Sequence, residues 1–385
     1  MSKYSTLVGM DVHARTITCV ALITGTGEYK QRKFNNCPTP SEIALWLSAL
    51  PQPVYCAYES GCTAYALCRG LRELGYDCDI IAISTLPRSA KDKQQKCDKL
   101  DARAILREMC NQASEYTLVY VPDEEIEAVR DLARMHGDAV AALKRAKQQL
   151  VAFLLRHGYV WNQKTPTGKL KKTWGKDFIG WLDSIRLNDE VAQMTLTSYR
   201  DQVERCEEYE KSTRELMGQV AQKERWKPFV DALKRLKGLD TCTALLAACE
   251  FGDFDRFASG RRVSAWLGTA PKNNSSAEKE VHGNITKAGN KHLRRALVEG
   301  NSAIALRNTS SKKLEVGQVV SPEVERMAKK ANDRLLKRYR HLTKDLGKTS
   351  NKAKIAVVNE QVRWIWIIGQ TVQAEIKQRS EQKVL

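Results

Sequence analysis

Four carboxylates in the first hundred or so residues have types and spacing suited to chemistry. Asp11 ends the apolar run in TLVGMDVH, Glu59 ends VYCAYES, and Asp98 and Asp101 stand three apart in KCDKLDARAI. Oxygen donors of this kind hold Mg²⁺, a hard cation, with Mn²⁺ as the alternative ion. Two such ions roughly 3.5–4 Å apart stabilise the entering and leaving oxygens of an in-line phosphoryl displacement. Each carboxylate alone has a plainer reading, since Asp after a strand is commonly a turn residue and acidic groups at a helix start complement its dipole. Their joint occurrence in a basic chain points to phosphodiester chemistry on nucleic acid. The lysine-rich AKDKQQK before Asp98 suits a loop approaching a phosphate backbone.

Elements must position those groups, and the first 120 or so residues alternate strand and helix signals. TLVGMDVH and TITCVALIT are rich in β-branched residues, GTGE is a turn signal, and KQRKFNN completes an expected antiparallel meander. PSEIALWLSAL reads as a helix capped by Ser41 after Pro40, VYCAYES as a buried strand, TAYALCRGLRELGY as a helix ended by Gly75, and DCDIIAI as a strand. The order predicts a mixed α/β sheet with helices on both faces. Asp11 and Glu59 then lie at strand ends, where open α/β sheets build sites, and Asp98 and Asp101 share one face of a first helical turn.

Composition bounds the rest. At 385 residues, two or three domains are expected. Lys plus Arg number 63 against 45 Asp plus Glu, a formal +18, which is the footprint of a protein that sits on phosphate backbones. The eleven cysteines show no CxxC pair and no zinc-ligand spacing, so they read as reduced, packed thiols. No uninterrupted apolar run approaches the ~18 residues of a membrane span. MSKYSTLVGMDVH runs directly into a strand, so the expectation is a cytosolic protein with no membrane partner.

Beyond residue 123 the pattern turns helical to about 158, with Ile126, Val129, Leu132, Ala133, Val140, Leu143, Leu150 and Leu154 at three- and four-residue spacing. WNQKTPTGKLKKTWGKDF loses that period and carries Lys169, Lys171 and Lys172 between Trp161 and Trp174, a basic, aromatic-bearing connection. Residues 188–222 resume a helix in which Tyr199, Val203, Cys206, Thr213, Met217 and Val220 alternate four- and three-residue steps around Glu210. This is either a short coiled coil or an ordinary amphipathic helix. From about 226 come short helices separated by Gly238, Gly252, Gly260 and Gly268, and LKGLDTCTAL resembles a helix-hairpin-helix with Asp240 in place of the second glycine. The last 65 or so residues are helical and basic.

GMDVH, AYES and CDKLDA, followed at long distance by FGDFDRF, AWLGTAP, NNSSAEKEVHGNITKAGNKHLRRAL and a basic C-terminal helix, resemble the DEDD insertion-sequence transposases, the Piv-like DNA recombinases. The resemblance runs over nearly the whole chain. It implies a RuvC-like domain of the ribonuclease H fold over 1–158, a basic connection and coiled-coil helix over 159–225, and a mainly α-helical transposase domain over 226–385. It carries over Asp11, Glu59, Asp98 and Asp101 as a catalytic, metal-binding tetrad, and a nucleophilic serine from the C-terminal domain. Ser276 holds the place just before the family's usual glycine-rich stretch, here Ala277-Glu278-Lys279, and Ser275 is the neighbouring alternative.

The resemblance further implies donor and target DNA as substrates, an element-encoded guide RNA, a homo-oligomer (dimer or tetramer), and action in the prokaryotic cytosol or nucleoid. A serine hydroxyl is a poor nucleophile until its proton is removed or metal stabilises its charge, a need the tetrad would meet. After the serines, Thr286, Lys287, Asn290, Lys291, Arg294 and Arg295 read as phosphate contacts, with Gly289 permitting close approach. A polar loop for the serines and a solvated basic helix face are the plainer alternatives. Competing functions are a structure-specific nuclease that uses the tetrad with water, and a non-catalytic nucleic-acid-binding regulator. A phosphotransferase of the actin and sugar-kinase type shares the Asp-bearing hairpin but needs glycine-rich phosphate loops, and no DxGxG-like segment is found.

Overall fold

The computed structural model describes residues 3–61, 63–82, 98–111, 116–276, 279–302, 304 and 312–384, with backbone alone at 98–101, 272–276, 279–282 and 383–384. The chain separates into two units, Met1–Asp123 and Glu124–Leu385. The first is a mixed α/β sheet and the second is mostly helical.

In the first unit β1 (Thr6–Val12), β2 (Ile17–Ile23) and β3 (Tyr29–Phe34) form the expected antiparallel meander. β3 carries Lys30, Arg32 and Lys33 and lies at a sheet edge, where charge discourages pairing with another chain. The chain crosses through α1 (Pro40–Ser48) to β4 (Val54–Glu59), parallel to β1, and through α2 (Ala66–Glu73) to β5 (Asp77–Ile81), parallel to β4. The sheet order is β3-β2-β1-β4-β5. Ile43, Leu47, Leu67 and Leu71 of α1 and α2 cover one face, and Ala102, Ile105, Leu106 and Met109 of α3 (Asp98–Cys110) cover the other.

Ser41 does not cap α1. Thr39 does: its hydroxyl accepts from the Glu42 amide at 3.3 Å while the Glu42 carboxylate accepts from the Thr39 amide at 2.7 Å, a reciprocal box. Pro40 occupies the start of the helix, where a missing N–H leaves nothing unsatisfied, so the cap falls on the residue before it.

The second unit opens with α4 (Glu124–Arg156) and α6 (Glu190–Ala221), two long helices packed antiparallel. Ile126, Val129 and Ala133 share a core with Met217 and Ala221, and Ala146, Leu150 and Phe153 share another with Leu196 and Val203. The expected seam of α6 therefore faces α4, and Glu210, buried within it, is paired by Arg214 one turn on. The connection between them is more ordered than its lost periodicity predicts. Trp161, Trp174 and Trp181 pack about Phe178 at centroid distances of 4.9–5.4 Å, with Phe178 and Trp181 supplied by the unanticipated helix α5 (Lys176–Ser184).

The remainder comprises α7 (Lys227–Leu233), α8 (Thr241–Phe251), α9 (Gly260–Leu267), a two-stranded sheet, α10 (Lys291–Gly300), α11 (Pro322–Arg340) and α12 (Ser350–Val384). FGDFDRF supplies the aromatic centre of this core: Phe251 stacks on Phe254 at 4.7 Å, and Phe254 fits against α12 because Gly369 has no side chain, where a Cβ would lie 2.1 Å from the ring. Among the described residues no helix is long and apolar enough to cross a membrane.

A second glycine sets the approach of α3 to the sheet. A Cβ on Gly9 would lie 2.3 Å from the carbonyl oxygen of Ala102 and 2.9 Å from the amide nitrogen of Leu106. Gly9→Ala is accordingly expected to lower stability by about 1–3 kcal/mol, as overpacking does. Gly25→Ala, where a Cβ meets nothing within 4 Å, should stay within about 0.5 kcal/mol. Chemical denaturation of the two variants measures the difference.

Candidate active site

The parallel register of β1 with β4 pairs Met10 with Tyr58, so the next residues, Asp11 and Glu59, lie side by side at the strand ends. Side chains alternate along a strand, so Asp11 shares its face with Gly9, the face on which α3 packs. Glu59 shares that face with Tyr55 and Ala57, which pack on Ala102 and Ile105. Asp98 and Asp101 belong to the first turn of α3, and Asp101 immediately precedes Ala102. The backbone thus sets Asp11 and Glu59 side by side on the face that α3 covers, with Asp101 one residue before Ala102, whose carbonyl lies beside Gly9. The side chains of Asp98 and Asp101 lie outside the described residues.

Asp11 is 5% exposed, and its Oδ2 lies 3.1 Å from Nε2 of His13. His13 is a neighbour to which sequence reasoning gave no role. The Asp-x-His spacing was the available signal, since residues two apart on an extended chain share a side. Glu59 is half-buried. Among the described residues no three His, Cys, Asp or Glu side chains stand together at metal-holding distance. Asp11 and Glu59, joined by the two aspartates of α3, would supply the carboxylate oxygens that Mg²⁺ prefers, and this donor set fits the ion.

In the second unit the serines lie at the end of a strand. β6 (Pro271–Ser276) pairs antiparallel with β7 (Lys279–Ile285), with Ser275 opposite Glu280 and Ser276 opposite Lys279. The side chains of both serines lie outside the described residues. After β7 the chain is bonded to the end of α9: the amides of Thr286, Lys287 and Asn290 donate to the carbonyls of Ala270, Gly268 and Trp266 at 2.9–3.0 Å. Two glycines with positive φ permit this. A Cβ on Gly268 would lie 2.0 Å from the Ala288 carbonyl oxygen, and one on Gly289 would lie 2.0 Å from that of Trp266.

Asn290 then caps α10, accepting from the Leu293 amide at 2.9 Å while its amide group donates to Glu250 at 2.8 Å. Glu250, 4% exposed, is flanked by Arg130 at 3.7 Å and Arg134 at 3.5 Å, both from α4. A carboxylate inside the otherwise apolar LLAACEF was the sequence signal for this network.

The basic residues read as phosphate contacts divide by environment. Lys287 and Lys291 are exposed. Arg294 donates to the Leu267 carbonyl at 2.7 Å, and Arg295 pairs with Glu299 at 3.0 Å. In the connection, Lys169 and Lys172 are exposed and Lys171 pairs with Asp177 at 3.0 Å. His292, beside Lys291, is held below its ordinary pKa by burial and by the Arg134 charge, so it is neutral at pH 7.

Two family models match the chain. A DEDD transposase model of the IS110 type covers residues 8–158, and the model described as "Transposase IS116/IS110/IS902 family" covers 230–315. The transposase y4qE of Sinorhizobium fredii is 33% identical over 326 residues, 84% of this chain and 77% of that protein. The transposase for insertion sequence element IS1533 of Leptospira borgpetersenii is 31% identical over 348 residues, 88% of this chain and 97% of its own length. The transposase for IS1328 of Yersinia enterocolitica is 27% identical over 262 residues, 67% of this chain and 72% of that protein. The two models fall on the carboxylate sheet and on the segment containing the serine hairpin. The DEDD family also implies a divalent metal, typically Mg²⁺. With these matches the chain belongs to the IS110 family of insertion-sequence transposases, enzymes that cleave and rejoin DNA.

Proposed function

We propose that this transposase moves its element by serine attack on DNA phosphodiesters, with Mg²⁺ held by Asp11, Glu59, Asp98 and Asp101, under the guidance of an element-encoded structured RNA. The observation that carries the metal half is the register that sets Asp11 beside Glu59 on the face covered by α3. We assign residues 1–158 as a RuvC-like domain of the ribonuclease H type, 159–225 as a basic connection and coiled-coil helix, and 226–385 as the transposase domain. The reading also takes donor and target DNA as substrates, a homo-oligomer as the working form, and the prokaryotic cytosol as its place.

The serine hydroxyl of Ser276, with Ser275 as the alternative, attacks phosphorus. Its Oγ–P bond forms as the bond to the leaving sugar oxygen breaks, the hydroxyl proton is lost, and the leaving oxygen ends protonated. The phosphoserine link conserves the phosphodiester's energy, so a second sugar hydroxyl can displace the serine and rejoin DNA. Mg²⁺ held by Asp11, Glu59, Asp98 and Asp101 would supply positive charge that stabilises the charge developing on the phosphoryl group, a contribution on the order of several kcal/mol. Lys287 and Lys291 hold the backbone phosphates as point charges, and Lys169, Lys171 and Lys172 extend that attraction along the connection. Within the same surface we assign Asn290, Arg294 and Arg295 to positioning, given their internal hydrogen bonds and ion pair.

Asp11→Ala should reduce strand cleavage on the order of a thousandfold or more, the loss of several kcal/mol of transition-state stabilisation. Nucleic-acid binding should be nearly unchanged, because it rests on the lysines. Cleavage at the native rate in this variant removes the metal site. The serine step is read by denaturing gels after incubation with donor DNA: a covalent protein–DNA adduct forms with the native chain and disappears in Ser276→Ala or Ser275→Ala. Cleavage without any adduct would instead select the water-using nuclease. RNA guidance predicts that one discrete RNA copurifies with the protein and that nuclease removal of it abolishes site-selective cleavage. Selective cleavage by RNA-free protein would refute it.

A further inference from the structure

A cavity of about 1420 Å³ opens in the second unit among α4, α6, α8 and α10, and its lining runs along α10 from Lys291 to Gly300. Its size exceeds the ~300–1,000 Å³ of a pocket for one small ligand. The floor is apolar, with Val140, Met217, Leu239 and Leu246 among its residues. Lys237, Lys291, Arg295, Lys312 and Lys313 bring positive charge to its wall. Three acidic residues also line it: Asp240 caps α8 through the Thr243 amide at 2.8 Å, Glu299 pairs with Arg295, and Asp138 is exposed. His136 and His292 face the same space, and burial holds both below the ordinary histidine pKa, so they offer neutral rings.

The wall is formed in advance of any ligand. Asn332 accepts from the Lys237 amide at 2.9 Å and donates to the Arg235 carbonyl at 2.9 Å, while Gln361 donates to the Lys237 carbonyl at 2.8 Å. These side chains fix the turn through Gly238, whose backbone abuts Gly300 so closely that a Cβ on Gly300 would lie 2.1 Å from the Gly238 carbonyl oxygen.

Gly137 supplies an independent observation. It lies inside the long helix α4 on the cavity wall, and a Cβ there would meet nothing within 4 Å. Glycine is a poor residue for a helix interior, and packing within the fold gives no reason for it here. A bare backbone facing a cavity is instead what close approach of a ligand calls for.

We propose that this cavity binds an unpaired stretch of nucleic acid, with bases over the apolar floor and Gly137, and phosphates against the lysines. The inference rests on the reading of the chain as a nucleic-acid enzyme. Apolar surface beside cations is the combination that single strands use, because an unstacked base exposes a face that a duplex hides. Duplex DNA keeps its base faces stacked, so an apolar floor offers it no stacking partner.

The test is fluorescence polarisation of a labelled hexanucleotide, made as DNA and as RNA, with the full-length chain in EDTA. No metal, cleavage or serine chemistry enters the measurement, so its failure is distinct from failure of the proposed reaction. Gly137→Leu places a better helix former in open space and puts an apolar side chain over the bare backbone of the cavity wall without changing charge. It should weaken hexanucleotide binding on the order of tenfold, with little change for a labelled duplex. Lys313→Glu, at an exposed position, should weaken it comparably, and more than Lys329→Glu, the same charge change on exposed α11. A preference for the ribose or deoxyribose probe identifies which strand occupies the cavity. Unchanged hexanucleotide affinity in Gly137→Leu and Lys313→Glu overturns the proposal, as does an equal loss in Lys329→Glu.

Discussion

The parallel pairing of β1 with β4 is the constraint on which the carboxylate site depends. A strand has a side-chain period of two, so a slip of one residue would carry Asp11 to the opposite face from Glu59 and away from α3. Burial enforces the register from both sides. Val8 and Met10 must enter the core with α1 and α2, and Leu7 must enter the core with α3. Gly9 then lets α3 approach closely enough for the Ala102 carbonyl and the Leu106 amide to lie against β1. The position of Asp11 is therefore tied to apolar packing one, three and four residues earlier in the same strand.

In the second unit a buried carboxylate has the corresponding role. An ionised side chain inside a protein is costly unless matched in charge and hydrogen bonding, and Glu250 is matched by Arg130, Arg134 and Asn290. These partners lie on α4 and at the start of α10, so one side chain of α8 fixes both. Asn290 closes the short connection that follows the serine hairpin, and the amides of Lys287 and Asn290 are bonded to the end of α9. The placement of β7 thus derives from a helix core remote in sequence.

Much of this was legible in the chain. Runs of β-branched residues marked β1 and β2, the short buried run VYCAYES marked β4, and three- and four-residue apolar spacing marked α4 and α6, because these signals are local and strong. The β6–β7 hairpin was not legible: PKNNSSAEKEVHGNI has few β-branched residues and no apolar alternation, and its pairing is with itself. Helix α5 was hidden because its nine residues give too few repeats to show a period, and its aromatic partners come from outside it. The approach of His13 to Asp11 and the reach of Arg294 to the Leu267 carbonyl are tertiary facts that a helical or extended pattern does not encode.

The net charge of +18 says that phosphate is attracted, but the two cationic side chains contribute differently. Several guanidinium groups are engaged within the fold: Arg130 on the carbonyls of Cys249 and Glu250, Arg214 on Glu210, Arg235 on Glu325, and Arg294 on Leu267. The planar fork of arginine satisfies such partners two bonds at a time, which suits it to the interior. Lys287, Lys291, Lys169 and Lys172 remain exposed as hydrated point charges. Lysine ammonium groups grip phosphate without reading a base pair, and their attraction weakens steeply with salt. Site selection by these residues would therefore be poor. The proposed guide RNA would add, through base pairing, the selectivity that a lysine-bearing surface does not supply.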